Sequence, residues 1–280
     1  EPSKKRVIIF SPHPDDDVIS MGGTFDRLVS QGHEVHVAYQ TSGNIAVSDQ
    51  DALKFIEVNS DIMGADQSKT VSDLKNAIQS INTHKPAPKS ICDLKASIRK
   101  RESLAATRYI GIPDSQVHFM SLSFYETGTI KKNPFSKKDI DETISLIESI
   151  KPHQIYAAGD LSDPHGTHRV CLNIIFESLK LLKTKKFMKD CWVWLYRGAW
   201  HEWDIHEIEM AVPMSPDQVL RKRKAIFYHQ SQKDGVMFKG DDHREFWVRA
   251  EERNSNTAKD YKSLGLADYA AMEAFKRYFY

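Results

Sequence analysis

His13-Pro14-Asp15-Asp16-Asp17 places an imidazole and several carboxylates side by side, directly after the apolar run Val7-Ile8-Ile9-Phe10. An imidazole and a carboxylate three positions apart, where a strand gives way to a turn, can converge on one metal ion. A neighbouring carboxylate that does not bind the ion is then free to act as the base for the water such an ion activates. In open α/β sheets the carboxyl ends of the strands face the ligand crevice, which is where this motif would sit. Pro14 fixes its own φ and pushes His13 towards an extended conformation, so the side chains leave a stiff turn. Asp is also favoured at helix N-caps, so an acidic turn capping the next helix is the lesser, alternative reading of this motif alone. A second cluster, Asp163-Pro164-His165-Gly166-Thr167-His168, follows another strand-like run, Ile155-Tyr156-Ala157-Ala158, and precedes a helical pattern from Val170 to Leu182. Its histidines read as a third ligand to the same ion or as residues that cap a helix N-terminus or face solvent, and two such strand-end clusters in one chain favour the ligand reading. A catalytic zinc usually takes three protein ligands and leaves one position open.

The elements that must hold these clusters alternate between strand and helix patterns, which predicts an α/β fold with a mostly parallel sheet covered on both faces. The first strand spans Val7 to Ser11, and a helix from about Val18 to Gln31 carries the apolar stripe Val18, Ile19, Phe25, Leu28 and Val29. Gly22-Gly23 weakens that helix but lets its backbone pack closely on the strand or on the metal loop. Glu34 to Thr41 is the second strand, with Ser42-Gly43-Asn44 as a loop at the same edge as His13. Helices follow over Ser48 to Met63 and Ile91 to Tyr109. The polar stretch 66–89, with Pro86 and Pro88, reads as an insertion partly outside the core. Gln116 to Leu122 is a strand, and Ser136 caps a helix reaching Ile150. Gln154 to Ala158 and Cys191 to Tyr196 are strands. Helical patterns return over Pro216 to Phe227 and through a C-terminal extension, 233–280.

With 280 residues the chain suffices for one α/β domain with a substantial core. Lys and Arg total 39 against 38 Asp and Glu. That balance gives no argument for nucleic acid or an anionic membrane as partner. Cys92, Cys171 and Cys191 are odd in number and lack C-x-x-C spacing, so they read as reduced thiols of a cytoplasmic protein. No apolar run approaches the roughly eighteen residues a membrane span needs. The chain opens Glu1-Pro2-Ser3 without a methionine, as a piece cut from something longer or a processed terminus would.

The strand-HPDD-helix segment, the His165-x-x-His168 loop, and Arg99-x-x-Glu102 leading into Ala105-Ala106 and Ile110-Gly111-Ile112 together resemble the PIG-L/LmbE-like family of zinc-dependent N-acetylglucosaminyl deacetylases. Tyr228-His229-Gln230-Ser231-Gln232 is similar to a C-terminal signature of that family. Val7 to Asn44 is closer still to the C-terminal domain of bacterial proteins in which a glucosamine-6-phosphate deaminase-like domain precedes an LmbE-like one. The resemblance implies a Rossmann-like three-layer α/β/α sandwich over the whole chain and one zinc ion held by His13, Asp16 and His168. It also implies Asp15 as general base, His165 as the group assisting the tetrahedral intermediate, and Arg99 facing the sugar. The implied activity is hydrolysis of the acetamide of an N-acetylglucosamine-type substrate. The implied partners are a small amino sugar, further copies of the chain (hexameric in relatives), and a fused deaminase-like domain. An amino-sugar deaminase and a non-catalytic carbohydrate-binding domain are the competing readings. Deamination calls for no HPDD metal site, and a pure binding module has no use for Asp15.

Two departures from the family pattern stand out. Asp17 replaces the usual Glu after HPDD, and Gly166-Thr167 replaces the Pro-Asp pair between the histidines, which leaves Asp163 as the carboxylate available to orient His165. Asn44 is a candidate for sugar hydroxyls or a turn residue. Trp200, His201 and Trp203 are candidates for pyranose stacking or for the core. Lys131-Lys132 and Arg221-Lys222-Arg223-Lys224 are candidates for a sugar phosphate or for a solvated face.

Overall fold

A computed structural model describes residues 4–63, 68–79, 81, 86–129, 131–159, 166–198, 201–233 and 244–280. Its strands are β1 (Arg6–Ser11), β2 (Glu34–Tyr39), β3 (Val117–Phe119), β4 (Gln154–Ala158), β5 (Trp192–Tyr196), β6 (Met210–Met214) and β7 (Ala271–Tyr278). They form one sheet in the order β3-β2-β1-β4-β5-β7-β6. The first five are mutually parallel, and β7 runs antiparallel to both β5 and β6. The expected α/β architecture with a mostly parallel sheet is therefore present.

Strands buried on both faces read as continuous apolar runs, and β1 shows why. Ile8 and Phe10 join Ile155, Ala157, Val193 and Leu195 on one face. There they pack on α5 (Lys137–Ile150) and α6 (Thr167–Leu182) through Ile147, Cys171, Ile174, Ile175 and Leu179. Val7 and Ile9 face the other way with Val37, Tyr39, Tyr156 and Tyr196. That face is covered by α1 (Asp16–Ser30), through Val18, Ile19, Phe25 and Leu28, by α7 (Pro216–Ile226) and by α8 (Phe246–Ser263). No helix among the described residues is long and apolar enough to cross a membrane. All three cysteines are free, with Cys171 and Cys191 buried.

The remaining helices, α2 (Asp49–Met63), α3 (Ser68–Gln79) and α4 (Lys89–Ile110), stand beside the carboxyl ends of β1 and β2. The 66–89 stretch contributes α3, whose Ile78 packs against the small cluster of Val47, Ala52 and Ile98. Two expectations require correction, and one strand comes unannounced by the sequence. Segment 233–280 is not helical throughout, because β7 follows α8 and enters the sheet. Ala271-Met272-Glu273-Ala274 has helical propensity, but pairing between two strands overrides it. Met210–Met214, not anticipated, forms the edge strand β6, where Pro213 is tolerated because one side of an edge needs no donor. Gly22 and Gly23 make close approaches, but to other partners than expected. A Cβ on Gly22 would meet the Lys222 stem at 2.9 Å, and one on Gly23 would meet Met214.

α1 is broken at Met21 (φ −138, ψ 27). A break exposes amides that lose their helical acceptors, and Glu273 of β7 supplies replacements. Its Oε1 accepts from the Gly23 amide at 2.9 Å, and its Oε2 accepts from the Thr24 amide and hydroxyl at 2.6 Å each. Lys222 Nζ lies 2.7 Å from the same carboxylate and 2.8 Å from Asn254 Oδ1, with both charged groups fully buried.

Candidate metal centre

Strand order reverses between β1 and β4. From β1 the chain winds outward to β2 and β3, and from β4 in the opposite direction to β5. Such a switch point opens a crevice at the carboxyl ends of the two central strands. The loop after β1 carries His13 and leads to Asp16 at the start of α1, and the loop after β4 leads to His168 in the first turn of α6.

These three side chains meet. His13 Nδ1, Asp16 Oδ2 and His168 Nε2 lie 3.2 Å from one another along all three edges. They are the one group among the described residues in which three or more His, Cys, Asp or Glu side chains could share a metal ion. With zinc–donor bonds of about 2.0–2.1 Å in tetrahedral array, donors stand roughly 3.3 Å apart. The trio therefore fits zinc in both spacing and donor chemistry. Burial alone would raise the Asp16 carboxyl, but the charge of His168 and hydrogen bonds with His13 and His168 outweigh it and hold the group well below the usual carboxylate range. Asp16 is thus held as the anion that a metal ligand must be.

The loop is rigid for identifiable reasons. Asp15 N donates to His13 O at 2.8 Å, and His13 N donates to Asp16 Oδ2 at 2.8 Å. Ser11 and Thr41 donate their hydroxyls to His13 O and Pro12 O at 2.6 and 2.7 Å. Asp17 turns into the core and accepts from Tyr39 OH at 2.9 Å. Burial pushes its carboxyl up to about 7, with the charges of Asp15 and Asp16 adding to the rise and the Tyr39 hydrogen bond opposing it. The shorter Asp at this position is therefore an internal brace.

Asp15 is buried beside the trio, and Arg99 Nη2 lies 3.2 Å from its Oδ1. Arg99 is itself only 1% exposed, with Nε and Nη1 lacking partners. Its one ion-pair partner among the described residues is Asp15. Asn44 is buried nearby and donates to Glu126 Oε2 at 3.3 Å, while its Oδ1 has no partner. Gly43 between them adopts φ +63, and a Cβ there would lie 2.8 Å from Pro14 Cδ and 3.1 Å from Arg99 Nε. Both ring nitrogens of buried His229 also lack partners, and burial followed by the Arg99 charge sets its pKa well below the ordinary histidine value. Glu102 serves a different purpose. It accepts from the Ser231 amide and hydroxyl at 2.7 Å each, and so latches the 229–232 turn to α4.

Asp163, His165 and Trp200 lie outside the described residues. Trp203 is a core residue, donating its indole N–H to Leu195 O at 3.2 Å. Three of the four residues in the basic run on α7 have internal partners: Arg221 pairs with Asp26, Lys222 with Glu273, and Arg223 with Glu251, while Lys224 is exposed. Sequence reasoning missed Tyr125, whose buried ring meets that of His13 edge-on at 6.1 Å between centroids, with Lys132 Nζ 3.8 Å from its own ring centre. The available signal was positional: Ser121 to Glu126 follows β3 as His13 follows β1.

The family model described as PIG-L, GlcNAc-PI de-N-acetylase, matches residues 8–179, which include the whole trio. The chain belongs to the PIG-L family. A curated relative from Bacteroides thetaiotaomicron, named a putative glucosamine-6-phosphate deaminase-like protein, is 50% identical over 290 residues, covering 99% of this chain and 43% of its own length. The chain thus spans less than half of that relative. Among solved structures of this fold, the N,N'-diacetylchitobiose deacetylase from Pyrococcus horikoshii aligns with a TM-score of 0.63 at 20% identity, covering 99% of this chain and 84% of its own. GalB, a 4-carboxy-2-hydroxymuconate hydratase from Pseudomonas putida KT2440, aligns at 0.60 and 14% identity, covering 99% and 97%. At these identities the likeness shows the fold alone, and function must be argued from the side chains at the switch point.

Proposed function

We propose that this PIG-L protein is a zinc-dependent N-deacetylase that hydrolyses the acetamide of an N-acetylglucosamine-type sugar to acetate and the free amine. The observation that carries the proposal is the His13–Asp16–His168 triangle with an additional buried carboxylate, Asp15, beside it. The family description, a de-N-acetylase, supports the same reading. When bound, the ion supplies Lewis acidity that polarises an amide carbonyl and makes water acidic enough to attack at neutral pH.

The chain's own residues supply the rest. Asp15 takes a proton from the attacking water and delivers it to the departing amine, a transfer in which one carboxylate acts first as base and then as acid. Arg99 fixes the direction of that carboxylate through its 3.2 Å contact. His165 donates to the oxyanion that forms at the acetyl carbon. Asn44, with Oδ1 unpartnered, and the Tyr125–Glu126 segment form the polar and aromatic wall for the sugar. Buried polar atoms without partners are rare in folded proteins. Their concentration around Asp15 and Asn44 suits a site that completes its hydrogen bonds with a ligand.

Amino-sugar deamination calls for no metal triangle of this kind. The deaminase-like name belongs to a relative of more than twice the length. The test is acetate release from a panel of N-acetylated amino sugars, with and without phosphate, by zinc-loaded and metal-stripped protein. Acetate from at least one substrate, abolished by stripping and restored by zinc, is expected. Ammonia release without acetate would overturn the reading.

A further inference from the structure

At the sheet edge, His36 of β2 and His118 of β3 form a second pair of facing imidazoles, separate from the centre. His118 is in register with Ala38, so His36 sits two residues along on the same face. His36 Nδ1 stands 3.0 Å from His118 Nε2, and the rings are stacked at 23° with centroids 5.2 Å apart. Behind them, His36 Nε2 lies 3.2 Å from Glu34 Oε1. Both rings are half-buried, held between the short edge strand and its neighbour.

The protonation pattern is constrained. If His36 Nε2–H donates to Glu34, then His36 Nδ1 presents a lone pair towards His118 Nε2. A tautomer shift in His118 alone turns both facing nitrogens into lone-pair donors. In that tautomer Glu34 holds the outer N–H of His36, the carboxylate–histidine arrangement that orients a metal-binding ring and strengthens it as a ligand. A spacing of 3.0 Å suits two nitrogens on bonds of about 2.0–2.1 Å to one ion. Imidazole ligands favour zinc and its neighbours over calcium or magnesium. Burial, with the charge of His36, lowers the His118 pKa and so favours the neutral ligand form.

We infer that His36 and His118 form a second binding site for a divalent transition-metal ion of the zinc type, with Glu34 behind His36 and water completing the coordination. With only two protein donors, this site is weaker than the trio at His13. It staples β3, three residues long, to β2. The chain leaving β3 delivers Tyr125 and Glu126 to the centre, so occupancy fixes the base of that wall.

Equilibrium dialysis of the full chain against graded zinc, followed by metal analysis, separates the two sites. Wild type should show a tight and a weaker binding event. His36→Ala and His118→Ala should each lose the weaker event and keep the tight one, whereas His168→Ala should do the reverse. Glu34→Gln should keep the weaker event at about ten- to a hundredfold lower affinity. His118→Phe retains ring volume and serves if the alanine variant unfolds by circular dichroism. A single event in wild type, or a weaker event that survives both His118 substitutions, would overturn the inference. Because His168→Ala acts only on the other site, failure here is distinguishable from failure of the proposed catalytic centre.

Discussion

Lys222→Met should destabilise the protein by about 3 kcal/mol, although the residue touches neither the metal centre nor solvent. Lys222 and Glu273 are each 1% exposed, and the two charges meet at 2.7 Å. Removing one partner of a buried pair typically costs about 3–5 kcal/mol, because the other charge is left uncompensated. Glu273 would retain its donors at Gly23 and Thr24, which places the cost near the lower bound. Methionine keeps the aliphatic stem that packs on Gly22. At roughly 2–4 °C per kcal/mol for a domain somewhat smaller than this one, the midpoint should fall by roughly 6–12 °C. The pH dependence supplies an independent check. In the native protein burial raises the Glu273 carboxyl, but Lys222 and the hydrogen bonds from Thr24 and Gly23 outweigh it and lower its pKa below 4.5. A depressed carboxyl contributes stability that is present above the unfolded value and lost as pH falls through the folded one. Without Lys222 the burial effect is opposed only by neutral donors, the folded pKa rises, and the slope reverses. The defect should then shrink on acidification. Lys222→Met combined with Glu273→Gln removes both charges and should cost clearly less than the sum of the single changes. Urea melts of metal-stripped protein at several pH values measure all of this. Strict additivity, or a single-variant cost under about 1 kcal/mol, would refute the claim that the pair is electrostatically coupled.

Asp15→Asn should retain zinc while turnover falls about 10²- to 10⁴-fold; metal content and rate measured on one preparation decide it, and wild-type turnover would remove Asp15 from the mechanism. Gly43→Ala should cost about 1–2 kcal/mol from its left-handed φ alone. It should also reduce activity by displacing Pro14 and Arg99, so unchanged kcat in a folded variant would show that Arg99 does not position Asp15. Burial raises the Glu102 carboxyl above 4.5 against the opposing Arg99 charge and Ser231 hydrogen bonds. A raised carboxyl gives stability that is full below the unfolded value and lost as pH rises through the folded pKa. Glu102→Gln should therefore flatten that part of the stability–pH curve, and melts across it that retain the native slope would contradict the assignment.

What the sequence made legible follows from whether the information is local. The β4 bounds expected from Gln154 to Ala158 are those observed, because a continuous apolar run between polar turns has no competing reading at that length. His13, Asp16 and His168 were recognisable because each follows a strand, and parallel strands deliver their carboxyl ends to one side. β7 was misread because its composition suits a helix and only the neighbours β5 and β6 make it a strand. The contacts Glu273–Gly23, Ser231–Glu102 and Tyr196–Phe10 join residues 250, 129 and 186 positions apart. No periodicity encodes such pairs. Tyr125 was missed because a tyrosine is not a metal-ligand type, so its position after a strand drew no chemical reading.

The metal ligands and the substrate wall rest on different foundations, and this has consequences for how the site can change. The ligand loop is tied to buried strands by Ser11, Thr41 and Tyr39, each fully or almost fully excluded from water. Tyr196 adds a further tie, donating to Phe10 O at 2.6 Å at the end of β1. Altering any of these disturbs the core and the metal site together. The outer part of the wall instead comes from the loop after β3, where Tyr125 is anchored in the core but Glu126 and Lys132 lie outside the hydrophobic clusters and meet their partners through polar or cation–π contacts. Such contacts can be exchanged at small cost in stability, since surface substitutions usually shift it by less than about 0.5 kcal/mol. Substitutions at Glu126 and Lys132 should therefore change KM and substrate preference while leaving zinc content unaltered. Kinetics on the sugar panel, run beside metal analysis, would separate the two effects. Loss of zinc in the Glu126 or Lys132 variants would show that wall and ligand loop form one inseparable unit.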